Sequence, residues 1–363
     1  MIVKIKENGR NNNFGVLHLL AAVFVMYGHQ CVLLGSPTPL IFGSQIQAVG
    51  VKVIFLISGY LIMKSLFGLE GSTAKISLIY ATKRIGRLYP ELIFCILITT
   101  LVVGPIFTTL PFSDYFAGGI VKNYIVHNIC LFVEYGLPGV FLKNPYQGAV
   151  NGSLWTMPVE VFTYLIFLVF CIGIKKLKIS KHSYGIFTCL VSIVFLAKFV
   201  FFPEARVVIY GTDWMAALNI IPYMLVGGVF YLYDFKKYLN VQLALCTFLG
   251  LSSLCFNTEV LNEAICLLIM PYVIFALGFA EKQKLSLKFV KSEYAYGLYL
   301  WGFVVQQCLI QKCYVESSIL PTPNFLFIAS FFVTYVLAMV SYNFVYVPFS
   351  KWNKKLVTYL QER

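Results

Sequence analysis

Charged residues are scarce in this sequence of 363 residues. They make up 12% of the chain, against roughly 25% in an ordinary soluble protein. Hydrophobic residues make up 59%. A soluble core of this size could not bury so much apolar surface, so we predict a polytopic membrane protein.

Other features are absent as well. The ten cysteines are scattered and none forms a C-x-x-C pair, so neither a disulfide framework nor a metal site is predicted. No small-x-small cleavage site follows the first apolar run, which we therefore expect to remain as a membrane span. The longest segment predicted on the external side of the membrane, about 111–152, is too short for an independent catalytic domain. We predict one membrane-embedded domain over residues 1–363, without a bound cofactor.

Long apolar segments take up most of the chain. A helix needs about 20 apolar residues to cross a bilayer, whereas a barrel strand would need only about 10 alternating residues. The sequence therefore predicts an all-α fold with ten transmembrane helices, at 14–34, 46–66, 91–110, 153–174, 184–202, 217–233, 240–255, 259–280, 294–311 and 324–348.

The positive charge alternates along the chain. The net charge is +13, and 22 of the 28 lysines and arginines lie in the two termini and in alternate loops such as 63–90, 175–183 and 281–292. Positively charged loops stay in the cytoplasm, so both termini are predicted to be cytoplasmic. Topology and contact with anionic membrane lipids explain the basic excess, and we expect no nucleic-acid partner.

Two histidines lie in the first predicted span, FGVLHLLAAVFVMYGHQ. His18 and His29 are eleven residues apart, which is about three turns and about 16 Å of a helix, so both face one side. An ionisable residue inside a span predicts function. A histidine that only hydrogen-bonds a neighbouring helix would fit the same pattern.

Three further stretches carry polar groups close to or within the spans. In VGVKVIFLISGYLIMK, Gly59 suits close helix packing, with Ser58 bonding across. In KRIGRLYPE, Arg84 and Arg87 lie on one helix face; guanidinium groups bind phosphate in a bidentate manner, and lipid headgroups are the alternative ligand. In NGSLWTMPVEVFTYLIF, Glu160 is either paired, for instance with a histidine whose charge it stabilises, or in contact with water at the outer helix end.

Taken in order, these stretches resemble the integral membrane acyltransferases of the acyltransferase-3 type, bacterial O-acyltransferases that decorate O-antigen, capsule and other surface glycans. The likeness runs from residue 14 to about residue 350, nearly the whole chain. It rests on the histidine pair of the first helix and on five further elements: Ser58 to Ile62; Arg84, Arg87 and Pro90; Gly152 to Glu160; Tyr296 to Trp301; and Ser341 to Pro348.

Four positions depart from the family pattern. His18 stands where the family usually has an arginine, and Gly15 where an acidic residue often precedes it. Late in the chain, Tyr346 replaces a glutamate and Gly302 replaces a histidine. His18 can supply the positive charge of the missing arginine only when it is protonated.

The resemblance implies an enzyme that moves an acetyl group from acetyl-CoA to a hydroxyl of a lipid-linked or cell-surface polysaccharide, in the bacterial cytoplasmic (inner) membrane. An acyl-histidine intermediate is an alternative mechanism. Two other classes of protein fit the sequence: a membrane transporter or flippase of a glycan or lipid, and a non-catalytic partner in glycan assembly. The implied site consists of His29 as base with Glu160 beside it, and of the substrate-binding residues His18, Arg84, Arg87, Ser58, Tyr60 and Trp155.

Overall fold

The computed structural model describes residues 12–280, 291–317 and 322–362. Helices make up most of this part of the chain, and the strands form two short antiparallel hairpins, Leu40–Ile41 with Ser44–Gln45 and Val208–Ile209 with Thr212–Asp213. The longer helices are α1 (Phe14–Leu33), α2 (Ile46–Phe67), α3 (Thr73–Ile98), α4 (Ile120–Ile129), α5 (Thr156–Lys176), α6 (Lys181–Phe201), α7 (Ile221–Leu232), α8 (Val241–Leu251), α9 (Glu259–Gly278), α10 (Ala295–Ile310), α11 (Pro323–Val340) and α12 (Val347–Glu362).

The all-α, polytopic fold is confirmed. Eight helical runs within the described residues are long and apolar enough to cross a membrane. Helix α8 is apolar but shorter, and α10 has 16 residues before a π-helical segment, Gln311–Glu316, extends it. All ten predicted segments are therefore largely helical, and eight of them lie in runs that qualify as full spans by length and composition.

The largest difference from the predicted map concerns segment 63–90, which the sequence predicts as a loop. One helical run covers Thr73–Phe107, 35 residues, and begins where Ser72 Oγ accepts the Lys75 N–H at 3.2 Å. Its first turns bury an apolar face, formed by Ile76, Ile79 and Tyr80. Lysines and arginines occupy the other face of these turns, so a search for unbroken apolar segments misses the helix.

Helix α2 packs between α1 and α7. A Cβ atom at Gly59 would overlap the carbonyl oxygen of Met224 on α7, and one at Gly227 would overlap the carbonyl oxygen of Leu56 on α2. Two facing glycines thus let the backbones touch, which is a common way for membrane helices to associate. The close packing predicted at Gly59 is confirmed.

The C-terminal helix folds back onto the start of α3. Asn353 Nδ2 of α12 donates to the Thr82 carbonyl oxygen at 3.2 Å, and Lys75 Nζ donates to the Gln361 carbonyl oxygen at 2.7 Å. We call this end of the bundle, where α1 begins, α2 ends and α12 packs on α3, the basic end. It is the end predicted to face the cytoplasm.

The orientation of the bundle stays a prediction from the charge pattern. Part of the charge on which it rests lies outside the described residues, namely Lys4, Lys6, Arg10, the lysines of 281–290 and Arg363.

Candidate active site

Arg87 lies on α3 at the basic end, and 45% of its side chain is exposed. Its guanidinium carbon lies 5.0 Å from the centre of the Tyr296 ring and 5.3 Å from that of Tyr346. Its Nη1 atom is 3.8 Å from the Glu91 carboxylate, which is too long for a hydrogen bond. Two ring faces therefore hold the cation. Among the described residues its N–H groups donate no hydrogen bond, so they can bind a ligand.

Glu91 is fully buried, one turn beyond Arg87. Ser341 Oγ donates to its Oε2 atom at 2.9 Å. Its Oε1 atom has no hydrogen-bond partner within the described residues, although a buried polar group without a partner costs free energy. Glu91 was not among the predicted site residues; the signal was an acidic side chain inside a predicted span.

Arg84 and Glu160 belong to the same cluster. The Arg84 guanidinium lies over the rings of Tyr80 and Tyr164, at 5.4 and 5.6 Å from their centres. The Tyr164 hydroxyl donates to the Glu160 carboxylate, which lies within electrostatic range of both Arg87 and Arg84. The structure thus brings three of the predicted site residues into one cluster around the middle of α3.

Glu160 is the fifth residue of α5, at the end of this helix that the charge pattern predicts to be the outer one. Helix α5 begins inside the protein, where the Thr156 and Tyr299 hydroxyls share a hydrogen bond of 2.7 Å. One turn later, Glu160 already lies level with the arginines. No contact between Glu160 and His29 is found in the described part of the chain.

The segment before α5 enters the bundle and binds along α10. Asn151 Nδ2 donates to the Leu300 carbonyl oxygen at 3.0 Å, and the Tyr299 hydroxyl donates to the Ser153 carbonyl oxygen at 3.1 Å. Irregular backbone at membrane depth is tolerated only where protein or water satisfies it. The NGSLW stretch meets this condition through α10.

His29 lies next to this stretch. Its ring packs edge-on against Phe303, with 5.4 Å between centres, and Phe303 in turn covers Gly152. Neither ring nitrogen has a hydrogen-bond partner among the described residues. The adjacent Gln30 is fully buried, and both polar atoms of its side chain are also unpartnered. Gln30 was not predicted, although a glutamine beside a histidine inside a span is a signal of the same kind.

His18 occupies a different environment from His29. Its Nε2 atom is 3.3 Å from the Ile54 carbonyl oxygen of α2, and the ring lies within electrostatic range of Arg87. His18 therefore belongs to the basic-end cluster, whereas His29 faces α10.

Three predicted substrate-binding residues lie elsewhere. Tyr60 is part of an aromatic cluster with the rings of Phe14, Tyr231, Phe275 and Phe279. Ser58 is half-buried beside the glycine contact of α2, and the Trp155 carbonyl oxygen accepts from Thr212 Oγ1 at 3.2 Å. No contact joins these side chains to Arg87 or His29 in the described residues, so their substrate role stays a prediction.

A second polar cluster lies near the other end of α2. Lys52 is 1% exposed, and its Nζ atom is 2.6 Å from the Glu263 carboxylate of α9. Ser44 donates to Glu263 at 2.7 Å and accepts from Lys52 at 3.0 Å. This ion pair was not predicted. Among the described residues, no group of three His, Cys, Asp or Glu side chains could hold a metal ion.

The sequence matches the acyltransferase-3 family, described as an acyltransferase domain, over residues 11–343. The chain belongs to this family. It is 26% identical over 330 residues to an O-acetyl transferase of Shigella phage Sf6, which covers 88% of this chain and 93% of the phage protein. The family and this relative identify the protein as an integral membrane O-acetyltransferase, and the transporter interpretation is set aside.

Two further relatives match less well: one has a lower sequence identity, and the other aligns over a shorter stretch of the chain. The O-acetyltransferase OatA of Staphylococcus aureus is 24% identical over 347 residues, which cover 86% of this chain but only 54% of OatA. Nodulation protein 10 of Rhizobium leguminosarum is 30% identical over 170 residues, or 44% of each chain. No solved structure matches the chain.

Proposed function

We propose that this O-acetyltransferase moves an acetyl group from acetyl-CoA to a hydroxyl of a lipid-linked or cell-surface polysaccharide, such as O-antigen or capsule, in the bacterial cytoplasmic membrane. Membership of the family supports an acyl donor and a glycan acceptor. The observation that carries the mechanism is the position of His29. Its ring lies next to the NGSLW stretch inside the bundle, and its nitrogens form no hydrogen bond with the described residues.

Arg84 and Arg87 are the proposed donor-binding residues. Acetyl-CoA is made in the cytoplasm, and the basic end is the one that the charge pattern assigns to that side. The Arg87 guanidinium is nearly half exposed, and its ion-pair partner Glu91 lies 3.8 Å away, beyond hydrogen-bond distance. Such a forked cation suits the phosphate groups of a CoA donor.

The donor site and His29 are connected through one helix. Arg87 contacts Tyr296, and His29 contacts Phe303 on the same helix. These two aromatic residues are seven positions apart, about 10 Å along α10. CoA carries its phosphates at one end and its thioester at the other, so a donor bound at Arg87 can direct its acetyl group along α10 towards His29.

His29 acts as the general base in this proposal. An imidazole has an unperturbed pKa of about 6.5 and is therefore suited to accept a proton near neutrality. It takes the proton of a sugar hydroxyl while the oxygen attacks the thioester carbonyl carbon; the C–S bond then breaks, and the proton passes to the departing thiolate. A transient acyl-histidine is the competing route.

Glu160 takes a different role from the one first expected. Its carboxylate accepts a hydrogen bond from the Tyr164 hydroxyl, and the Arg84 guanidinium lies over the Tyr164 ring, so we assign Glu160 to positioning the donor-binding cations. Stabilisation of a charged His29 would require a contact between the two side chains.

The proposal is tested with the purified full-length protein in phosphatidylcholine nanodiscs, given [14C]acetyl-CoA and lipid-linked polysaccharide. We expect radiolabel on the glycan, removable by mild base as an ester. Mass spectrometry of surface glycan from cells with and without the gene identifies the O-acetyl group that is lost. Failure of the purified protein to bind CoA or transfer acetyl would contradict the proposal and favour a non-catalytic partner.

A further inference from the structure

A cavity of about 360 Å³ opens at the basic end, between residues 83–87 of α3 and the first turns of α12. Lys83, Arg87 and Lys354 give it three positive charges, and no acidic residue is part of its lining in the described chain. Its other polar walls come from Tyr346, Ser350 and Asn353.

We propose that this cavity binds the phosphorylated nucleotide end of the acyl donor, and that Lys83 and Lys354 are donor-binding residues alongside Arg87. The inference rests on the proposed function, because it takes CoA as the donor. It extends the donor site from α3 to the C-terminal helix.

The chemistry of the lining fits phosphate groups. Arginine offers a forked pair of donors, and lysine a point charge with three donors. Arg87 is fixed by the faces of Tyr296 and Tyr346, with 45% of its side chain exposed. The Ser350 hydroxyl adds a neutral donor on the α12 side.

The wall formed by α12 is held in place by direct packing. A Cβ atom at Gly86 of α3 would overlap the Asn353 amide, and that amide donates to the Thr82 carbonyl oxygen at 3.2 Å. Because the two helices touch at this glycine, the spacing between the lysine on α3 and the lysine on α12 is set before a ligand arrives. A site that is already formed loses less entropy on binding.

The cavity is also placed correctly for the reaction. Arg87 forms part of its wall and contacts Tyr296 at the start of α10, the helix that leads to His29. A donor with its nucleotide in the cavity can therefore extend its acyl arm into the bundle along α10.

An anionic lipid headgroup offers the same phosphate chemistry to these cations, and the experiment separates the two sources. Purified protein in phosphatidylcholine nanodiscs is titrated with CoA by calorimetry, and the titration is repeated in phosphatidylglycerol nanodiscs. The variants are Lys83→Gln, Lys354→Gln and the double variant. Matched controls are Lys351→Gln and Lys355→Gln, which remove exposed lysines of α12 that do not line the cavity.

We expect each cavity variant to weaken CoA binding in phosphatidylcholine about tenfold, the loss of one charge-assisted hydrogen bond, and to raise the KM for acetyl-CoA without changing that for the acceptor. The controls should bind like the wild type, and all variants should melt within a few degrees of it.

If the cavity variants bind CoA as well as the wild type does, this inference is overturned and the proposed function stands. If the variants change CoA binding only in phosphatidylglycerol nanodiscs, the cavity binds a lipid headgroup, and the inference is overturned as well. A wild type that neither binds CoA nor transfers acetyl overturns the proposed function itself.

Discussion

Two cation–carboxylate pairs of the described chain contain a buried side chain, and they differ in how completely their polar atoms are partnered. The Lys52–Glu263 pair is closed: its charged atoms are 2.6 Å apart, and the side chains are 1% and 13% exposed. The Arg87–Glu91 pair is open: its atoms are 3.8 Å apart, the arginine is 45% exposed, and Glu91 Oε1 has no hydrogen-bond partner in the described part of the chain.

The difference separates structural polar groups from functional ones. Ser44 completes the closed pair with hydrogen bonds to both partners, so this cluster ties α2, α9 and the first hairpin together and leaves nothing for a ligand. Buried polar groups without a partner cost stability unless a substrate satisfies them. His29 and Gln30 belong with Arg87 in the open class. Changes to the closed class should therefore cost stability, and changes to the open class should cost activity.

The largest effect is expected for His29→Ala. Loss of a general base lowers a rate by about 10²–10⁴-fold, whereas the ring forms no hydrogen bond among the described residues and contributes little to folding. The measurement is acetyl transfer from acetyl-CoA to glycan, normalised to folded protein. His182→Ala is the control, because this exposed histidine contacts Tyr233 at the protein surface. If His29→Ala retains more than about a tenth of the activity, His29 is a packing residue and the open class loses its central member.

Lys52→Met should have the opposite signature. Removing one partner of a buried ion pair costs about 3–5 kcal/mol, because the other charge stays buried without compensation. We expect a lower melting temperature in detergent, with unchanged acetyl transfer per folded molecule. Replacing both partners, in Lys52→Met with Glu263→Leu, should recover most of the lost stability, since apolar replacement of a buried pair is often neutral. A loss of activity in the folded fraction would place this pair in the functional class.

Arg84→Gln with Arg87→Gln should raise the KM for acetyl-CoA about 10- to 100-fold, the range expected for losing hydrogen bonds to charged groups. The KM for the acceptor should stay the same, because the two arginines are proposed to bind the donor only. An unchanged donor KM in a protein that melts early would show that the two arginines are structural.

Glu160→Gln sharpens the assignment of this carboxylate. Its neighbours are Tyr164, Arg84 and Arg87, so the neutral amide should change the donor KM and leave the pH dependence of kcat unaltered. A shift in that pH dependence would restore the partnership with His29 expected from the sequence.

Local patterns were enough to predict the helices and the arginine pair. Unbroken apolar runs predict the spans, and residues three apart on a helix share a face wherever the helix lies. The missed contacts join distant parts of the chain: Ser341 binds Glu91 across 250 positions, and Lys52 binds Glu263 across 211. The depth of Glu160 depends on the NGSLW stretch entering the bundle, and no periodicity records the depth at which a helix begins.

The smallest effect is expected at His18, the member of the basic-end cluster that departs from the family pattern. His18→Ala should lower activity much less than His29→Ala does, because the ring contacts a backbone carbonyl oxygen at 3.3 Å and lies away from the proposed reaction centre.

His18→Arg restores the residue that the family usually carries and places a permanent cation near Arg87. A single partly screened charge is worth up to about 1 kcal/mol, so the KM for acetyl-CoA should fall by no more than about fivefold. Steady-state kinetics at fixed acceptor concentration measures the change, with His18→Gln as the neutral control of similar size. If His18→Arg binds the donor more weakly than His18→Gln, a positive charge at this position opposes donor binding, and His18 has no part in the donor site.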